Sequence, residues 1–431
     1  PDDLRQGRVL GGAKIKLEEV PYALVLKENR RSVKNAGLIS GIVGQRFFYL
    51  DGVNQKSMAQ TKATDQYLAL KVPRNYHQNQ ARYFQVLQLL PVVDTPDLRA
   101  DRLERWGKEL LDPKTCGQAA MKLEGMGRNA VDTLKTGLDH ENPLVRYFSA
   151  EALAYLNDGS GADELMKVVT TWPEFRAFAL AALAASDQAS TLTKLRDLMA
   201  NPDPEIRYGA FNALKAADEE NSYLGKVRIL KDRMPEPPDD PNSDEAMAFQ
   251  IAMARAVRAR ASDPFSLYLV DCEGPPMIHV SNTRRCEIVV FGDRQRLLPP
   301  VVLGSASSVL LNASQGDNSV QIARISPEAL DQSDTKINSS LDLGEVIKEA
   351  ANLGATYPQI VEILRMADRQ KNLEGPLVVD AIPEPVSDYD KAQLAGVDPK
   401  SKTDKAVKPA KAEPEPRRFH FFDRFRRHPD R

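Results

Sequence analysis

Apolar residues along the middle of the chain recur with a period of about thirty. Leu123, Leu153, Leu183 and Leu214 stand 30, 30 and 31 residues apart. Pro113, Pro143, Pro173 and Pro204 keep the same intervals, and Arg146, Arg176 and Arg207 keep step in the last three units. The local texts agree: NPLVRYFSAEALAYL from Asn142, WPEFRAFALAALAAS from Trp172, DPEIRYGAFNALKAA from Asp203. Self-similarity at such a period marks a helical solenoid. Pro opens each unit at a helical first turn, where its missing N–H would have no partner anyway. Val145, Phe148, Ala152 and Leu156 follow at three- and four-residue steps, which places them on one face. A break at 157–161, or a shorter one at 187–189, leads into a second helix with Leu165, Val168 and Val169, or Leu192, Leu195 and Leu198. Two helices in about thirty residues form a HEAT-like pair. One pair cannot bury its own apolar face, so neighbours must stack. The array reads either as a rigid spacer or as a concave docking surface for another protein. The recurring arginine reads as a solvated or carbonyl-bonding residue.

The flanks have other periods. YALVL (22–26) predicts a strand, and Ser32 a helix N-cap. Val33, Ala36, Leu38, Ile39, Ile42 and Val43 then carry a helical stripe to Phe47. YLALKVP (67–73) predicts a second strand, and Asn79 starts a helix with Ala81, Phe84, Leu87 and Leu90 inside. This order predicts a small α+β module whose helices cover one sheet face. Beyond the repeat, MPEPPDDPNSDE (234–245) predicts an exposed loop, and 246–260 a helix. Strands are predicted at 265–270, 277–280, 287–291, 300–303, 308–313 and 320–325, parted by turn residues such as Gly316-Asp317-Asn318. Helices at 343–351 and 358–369 follow, with Gly354 a C-cap candidate, and 373–382 closes with a strand. The predicted class is α+β: small strand–helix modules plus a β-rich C-terminal region, interrupted by an all-α HEAT-like solenoid. The predicted divisions are 1–95, 96–230, 231–262, 263–384 and 385–431.

Composition narrows the function classes. A net charge of −2 over 431 residues excludes a globally basic nucleic-acid binder. No stretch reaches the ~20 apolar residues that a membrane helix needs. The chain begins at Pro1 without Met and has no signal-peptide pattern, which leaves its targeting unread. Cys116, Cys272 and Cys286 form no CxxC pair and the five His are scattered, so no zinc site is expected. Cys272 and Cys286 fall on two predicted neighbouring strands. A bridge between them requires α-carbons ~4.4–6.8 Å apart; two free thiols are the alternative.

MIHVSNTRRCEIVVFGDRQRLLPPVVLGSASSVLLNA (277–313) resembles the late β-rich portion of bacterial flagellar P-ring proteins. That portion has a strand, a charged turn, a strand ending near Gly, then an apolar strand and a Gly-containing turn. LGEVIKEAANLGATYPQIVEILRMADRQKNLEGPLVV (343–379) is similar to the family's C-terminal helix pair and last strand. GRVLGGA (7–13), LVLKENRRSVKNAGLISGIVGQRF (24–47) and TDQYLALKVPR (64–74) resemble successive parts of its middle module. The matches fall in the family's order over roughly 1–93 and 265–382. The family's Gly-rich N-terminal module is not visible, and the helical repeat stands where the family has a short connection. The resemblance implies a structural subunit without catalytic activity or cofactor. Such a subunit forms a homo-oligomeric ring around the flagellar rod in the periplasm, in the basal body. Its implied partners are rod and L-ring proteins, with peptidoglycan or another envelope protein as a further contact, and no nucleic acid. A HEAT-type protein-binding adaptor with no flagellar role is the alternative. The ring reading expects 1–93 and 265–382 to form one body, the adaptor reading separate domains.

Candidate chemistry is sparse. No GxSxG, Walker A loop or strand-following GxGxxG occurs. The glycines of GLISGIVG (37–44) fit helix packing better than phosphate binding. Glu18-Glu19 and Asp239-Asp240 read as solvated faces, and His279 as a structural strand residue. From Tyr389 the tail is rich in Lys, Pro, Ala and Glu, a composition that builds no core. Its end, RRFHFFDRFRRHPDR (417–431), holds six Arg and four Phe. Arg417, Arg418, Arg424, Arg426 and Arg427 are candidates for binding an anionic surface: headgroups, wall polymer or an acidic groove. An unimportant end is the alternative.

Overall fold

The computed structural model describes residues 22–51, 53–61, 67–229, 249, 264–282, 285–304, 309–324 and 335–383. The fold is α+β. Most described residues fall into two compact units: 22–198 with 212–217, and 199–211 with 218–382. The predicted loop at 234–245, most of the helix at 246–260 and the tail from 385 lie outside the described residues.

The first unit begins with β1 (Tyr22–Val25) and α1 (Val33–Arg46). Ser32 Oγ accepts from the Asn35 amide at 3.0 Å, the predicted cap. A hairpin follows, β2 (Phe48–Asp51) with β3 (Asn54–Ser57), then β4 (Ala59–Thr61) and β5 (Tyr67–Leu70). Strand order β1-β5-β4 makes an antiparallel sheet in which Leu24 faces Leu68. Asn79 caps α2 (Gln80–Leu89) by accepting from the Arg82 amide.

The repeat supplies α3 (Pro96–Leu110), α4 (Cys116–Gly125), α5 (Val131–Thr136), α6 (Pro143–Tyr155), α7 (Ala162–Thr171), α8 (Pro173–Ala185), α9 (Ala189–Leu198) and α10 (Pro204–Ala217). Pro143, Pro173 and Pro204 open helices as predicted. Pro113 does not: it stands in the turn before α4, and Pro96, outside the thirty-residue spacing, opens α3 instead. Val145, Phe148, Ala152 and Leu156 are all buried, as are Leu165, Val168 and Val169, while Leu192 is only half-buried.

Residues 22–93 and 265–382 therefore lie in different compact units rather than in one body. The cause is local. Side chains of α2 and the segment before it bury against α4 and α6 through an ionic cluster described below.

The second unit has two sheets. The first runs β14-β8-β9-β7-β6 and is built from β6 (Lys226–Val227), β7 (Ser266–Val270), β8 (Met277–Val280), β9 (Glu287–Phe291) and β14 (Leu377–Val379). β7 is parallel to β9, β14 is parallel to β8, and β8 and β9 are antiparallel. Every residue of β8 and β9 is buried, which is why their sequences are mostly apolar; the two polar residues, His279 and Glu287, are both held near Tyr208. The second sheet is an antiparallel meander of β10 (Val301–Gly304), β11 (Val309–Ala313), β12 (Ser319–Arg324) and β13 (Thr335–Ser340). β10 and β11 alternate buried with exposed, so one face of the meander meets water. α11 (Leu343–Asn352) and α12 (Tyr357–Gln370) add Val346, Ile347, Ile360 and Leu364 to a core shared with Ile278, Ile288, Leu303, Leu311 and Ile322. Gly354 has φ +92°, the left-handed end that the C-cap reading of α11 requires.

Candidate functional site

Three buried charges organise the first unit. Arg82, Glu124 and Glu151 are each at most 1% exposed. Arg82 donates from Nε and Nη2 to Glu124 Oε2 at 2.9 and 2.7 Å, and its Nη1 lies 2.6 Å from Glu151 Oε2. Tyr76 donates to Glu124 Oε1 at 2.5 Å, and its ring stacks on Tyr155. The guanidinium also sits over the Tyr155 ring, a cation–π arrangement. Arg46 Nε reaches the Glu124 carbonyl at 3.0 Å. Burial, with the Glu124 charge beside it, pushes the Tyr76 phenol well above its ordinary range. Buried on all sides, the cluster ties α2 to α4 and α6. Sequence reasoning missed it. The available signal is a charged residue inside an apolar helical stripe: Arg82 among Tyr83, Phe84 and Val86, and Glu151 among Ala150, Ala152 and Leu153.

The recurring arginines bond carbonyls, as one of their two readings had it. Arg146 Nη1 donates to His140 and Glu141 carbonyls at 2.9 and 2.8 Å, with Glu164 on its Nε. Arg176 Nε donates to the Val169 carbonyl at 3.0 Å. Arg207 Nη2 reaches the Ala200 and Glu273 carbonyls, and its Nη1 the Pro275 carbonyl. Each ties the start of its helix to the chain six or seven residues earlier.

Cys272 and Cys286 are free thiols, so the disulfide is corrected. Their strands are neighbours, β7 and β9, but parallel. Val270 pairs with Phe291 and Ser266 with Glu287, which puts Cys272 past one end of the pair and Cys286 before the other. Seven residues of offset at ~3.3 Å each separate them by roughly 20 Å, far beyond disulfide reach. Burial raises the Cys272 thiol and pushes that of Cys116 up to about 12. His279 is buried on β8, stacked on Tyr208 at 3.4 Å, and accepts at Nε2 from the Ala381 amide. It is a structural residue, and Tyr208 donates onward to Glu287 at 2.8 Å.

Two surfaces remain. The β2–β3 hairpin exposes Phe48, Leu50 and Val53, the last two at 69% and 97%. Gly37 and Gly41 of α1 face open space, so among the described residues nothing packs on them. In the second unit a crevice of about 170 Å³ opens beyond the carboxyl ends of β7 and β9, lined by Asp271, Asp293, Arg294, Gln295 and Asp342 among others. Its signal in the sequence is an acid placed just after each of two apolar strands: LVD at 269–271 and FGD at 291–293. Among the described residues no cluster of His, Cys, Asp or Glu is arranged to hold a metal, and no helix is long and apolar enough to cross a membrane. Glu18-Glu19, Asp239-Asp240 and Arg417, Arg418, Arg424, Arg426 and Arg427 lie outside the described residues.

In comparison with known proteins, no family model, no curated protein and no solved structure matches the chain.

Proposed function

We propose that the chain is a P-ring-like structural subunit of the bacterial flagellar basal body, which assembles with copies of itself into a ring around the rod in the periplasm. The observation that carries this reading is the order of elements over 277–379. The resemblance implies strand, charged turn, strand ending near Gly, apolar strand and Gly turn, then two helices and an exit strand. The described elements over this span run β8, β9 ending at Phe291 before Gly292, β10, β11, β12, β13, α11, α12 joined to it through 353–356, and β14; the parts named by the resemblance occur in sequence, with two further strands, β12 and β13, between the first group and the helices. Strand β14 returns beside β8 in the same sheet. The exposed apolar hairpin and the open sheet edges supply surfaces for copy-to-copy contacts. A head-to-tail interface closes into a ring when its rotation divides a full turn. The role needs no catalytic residue, cofactor or metal. Rod and L-ring proteins are the proposed partners, with peptidoglycan or another envelope protein met through the helical repeat, and no nucleic acid.

The placement of 22–93 and 265–382 in separate compact units favours a second reading, a HEAT-type protein-binding adaptor. Negative-stain imaging and light scattering of the purified full chain, alone and with rod and L-ring proteins, separate the two. Closed rings are the expected result. A chain that stays monomeric beside those partners overturns the ring and leaves the adaptor.

A further inference from the structure

Within the first unit the chain passes from the N-terminal module, 22–89, to the helical repeat once, at 90–95. The side-chain bonds across the seam between them run one way. Arg82 and Tyr76 donate to the Glu124 carboxylate, and Arg82 also faces Glu151. Arg46 donates to the Glu124 carbonyl. Asn75 Nδ2 donates to the Tyr155 carbonyl at 3.4 Å, and Arg74 Nη2 to the Ala217 carbonyl at 2.9 Å. Tyr155 and Ala217 end α6 and α10, and the last carbonyls of a helix have no partner inside it. The module thus brings three guanidiniums and the donors, and the repeat brings two carboxylates and the acceptors. The two faces fit each other, and neither fits itself: two modules would set Arg against Arg, two repeats Glu against Glu. A contact built this way joins unlike surfaces, which is the head-to-tail kind.

The link across the seam is short and exposed. Leu90 lies against Gly125, where a Cβ would stand 3.5 Å from its Cδ2. Beyond it Val92 is 64% and Val93 56% exposed. Arg102 then holds the Val93 carbonyl, and Arg99 the Asp94 carboxylate, so the far end of the link belongs to α3. Pro91 and Pro96 restrict the backbone at its two ends. Helix α2 packs on α4, and so does α3, the next helix along the chain. A short, restricted hinge between two matched faces favours exchange of a whole element between copies. Exchange remakes each native contact, so its cost is confined to the hinge. We propose that this seam, closed within one chain in the structure, is also the contact between copies: the module of one chain seats on α4 and α6 of the next, with the hinge extended. The proposal rests on the ring reading and gives it a head-to-tail interface. The partner that the Glu124–Glu151 surface takes is the Arg- and Tyr-bearing segment 73–90 of a second copy.

Two full-length variants test it by mixing. Arg82→Leu leaves two carboxylates without their cation, and Glu124→Leu/Glu151→Leu leaves the cation without its carboxylates, so each variant mismatches its own seam. Exchange in the mixture sets Arg82 against Glu124 and Glu151 at one seam and leucines against leucines at the next. Both are matched, since replacing a whole buried charge set by apolar residues is close to neutral. The mixture, refolded together from urea, is expected to regain most of the urea midpoint that each variant loses alone. A mixture that melts as the sum of its two parts overturns the exchange. Cutting the hinge supplies a second arm. In Pro91→Ile/Val92→Glu/Val93→Gly/Asp94→Arg the hinge keeps its length and becomes the site of a protease that cuts after Ile-Glu-Gly-Arg. Because the hinges alone would join one seam to the next, cutting is expected to reduce the assembly to particles of one chain's mass that hold both fragments. An assembly that keeps its size after cutting overturns the proposal and leaves the ring reading standing. A parent chain that forms no assembly before cutting overturns the ring reading and the proposal with it.

Discussion

At Arg82 a charge is kept from water by two carboxylates, and its removal strands both. Arg82→Leu is expected to cost ~3–5 kcal/mol, read as a lower urea midpoint of tryptophan fluorescence. Replacing Arg82, Glu124 and Glu151 together by apolar residues of similar volume is expected to restore most of it. Burial also sets the alkaline limit. The folded chain holds the Cys116 proton up to about 12, whereas the ordinary value is 9.0. Between those values the folded state binds more protons than the unfolded one, so stability falls as pH rises through that window. Burial raises the phenols of Tyr76, Tyr83, Tyr155 and Tyr357 as well, which steepens the same slope. A urea midpoint lower at about pH 10.5 than at about pH 8 is the expected measurement. Residue chemistry was the part least legible in the sequence. Which cysteines meet depends on whether two strands run parallel, and which charges pair depends on helices far apart in the chain.

Among elements, legibility followed burial. β8 and β9 were predicted to the residue because both faces of each strand are covered and their sequences are dominated by apolar and β-branched residues. β13, TKINSS, was missed because it is a meander edge held by backbone pairing to β12, with a single half-buried apolar side chain, Ile337. The β2–β3 hairpin was missed as well, although Asp51-Gly52 carries hairpin turn chemistry. Two substitutions probe element ends. Ser32→Ala removes the cap of α1 and is expected to cost ~1 kcal/mol in urea unfolding. Gly225 has φ +61°, and a Cβ there would collide with the Leu269 carbonyl, to which the strand pair β6–β7 is tied by the Leu269 amide on Gly225 O. Gly225→Ala is expected to cost more than the ~1 kcal/mol of left-handed strain alone, with faster amide exchange at 267–269.

For the molecule as a whole, two compact units mean that one unfolding free energy does not describe the chain. Both tryptophans, Trp106 and Trp172, lie in the first unit. Fluorescence therefore reports that unit alone. Arg82→Leu is expected to move the fluorescence midpoint while exchange protection over 288–303 changes little, and a common shift of both signals would count against separate cooperative units. The α+β class and the thirty-residue array were legible from periodicity; the division of the flanks was not, because it is decided by the Arg82 cluster. The arginine ties have a consequence for the array's length. Arg146 and Arg176 grip main-chain oxygens on their own approach segment, a feature every residue type provides. Those oxygens lie just before the proline boundaries, at 140, 141 and 169, so a cassette excised or duplicated at the prolines fastens to the main chain of whatever unit precedes it and asks for no matching side chain there. The array can therefore grow or shrink by whole copies while the rest of the chain stays as it is.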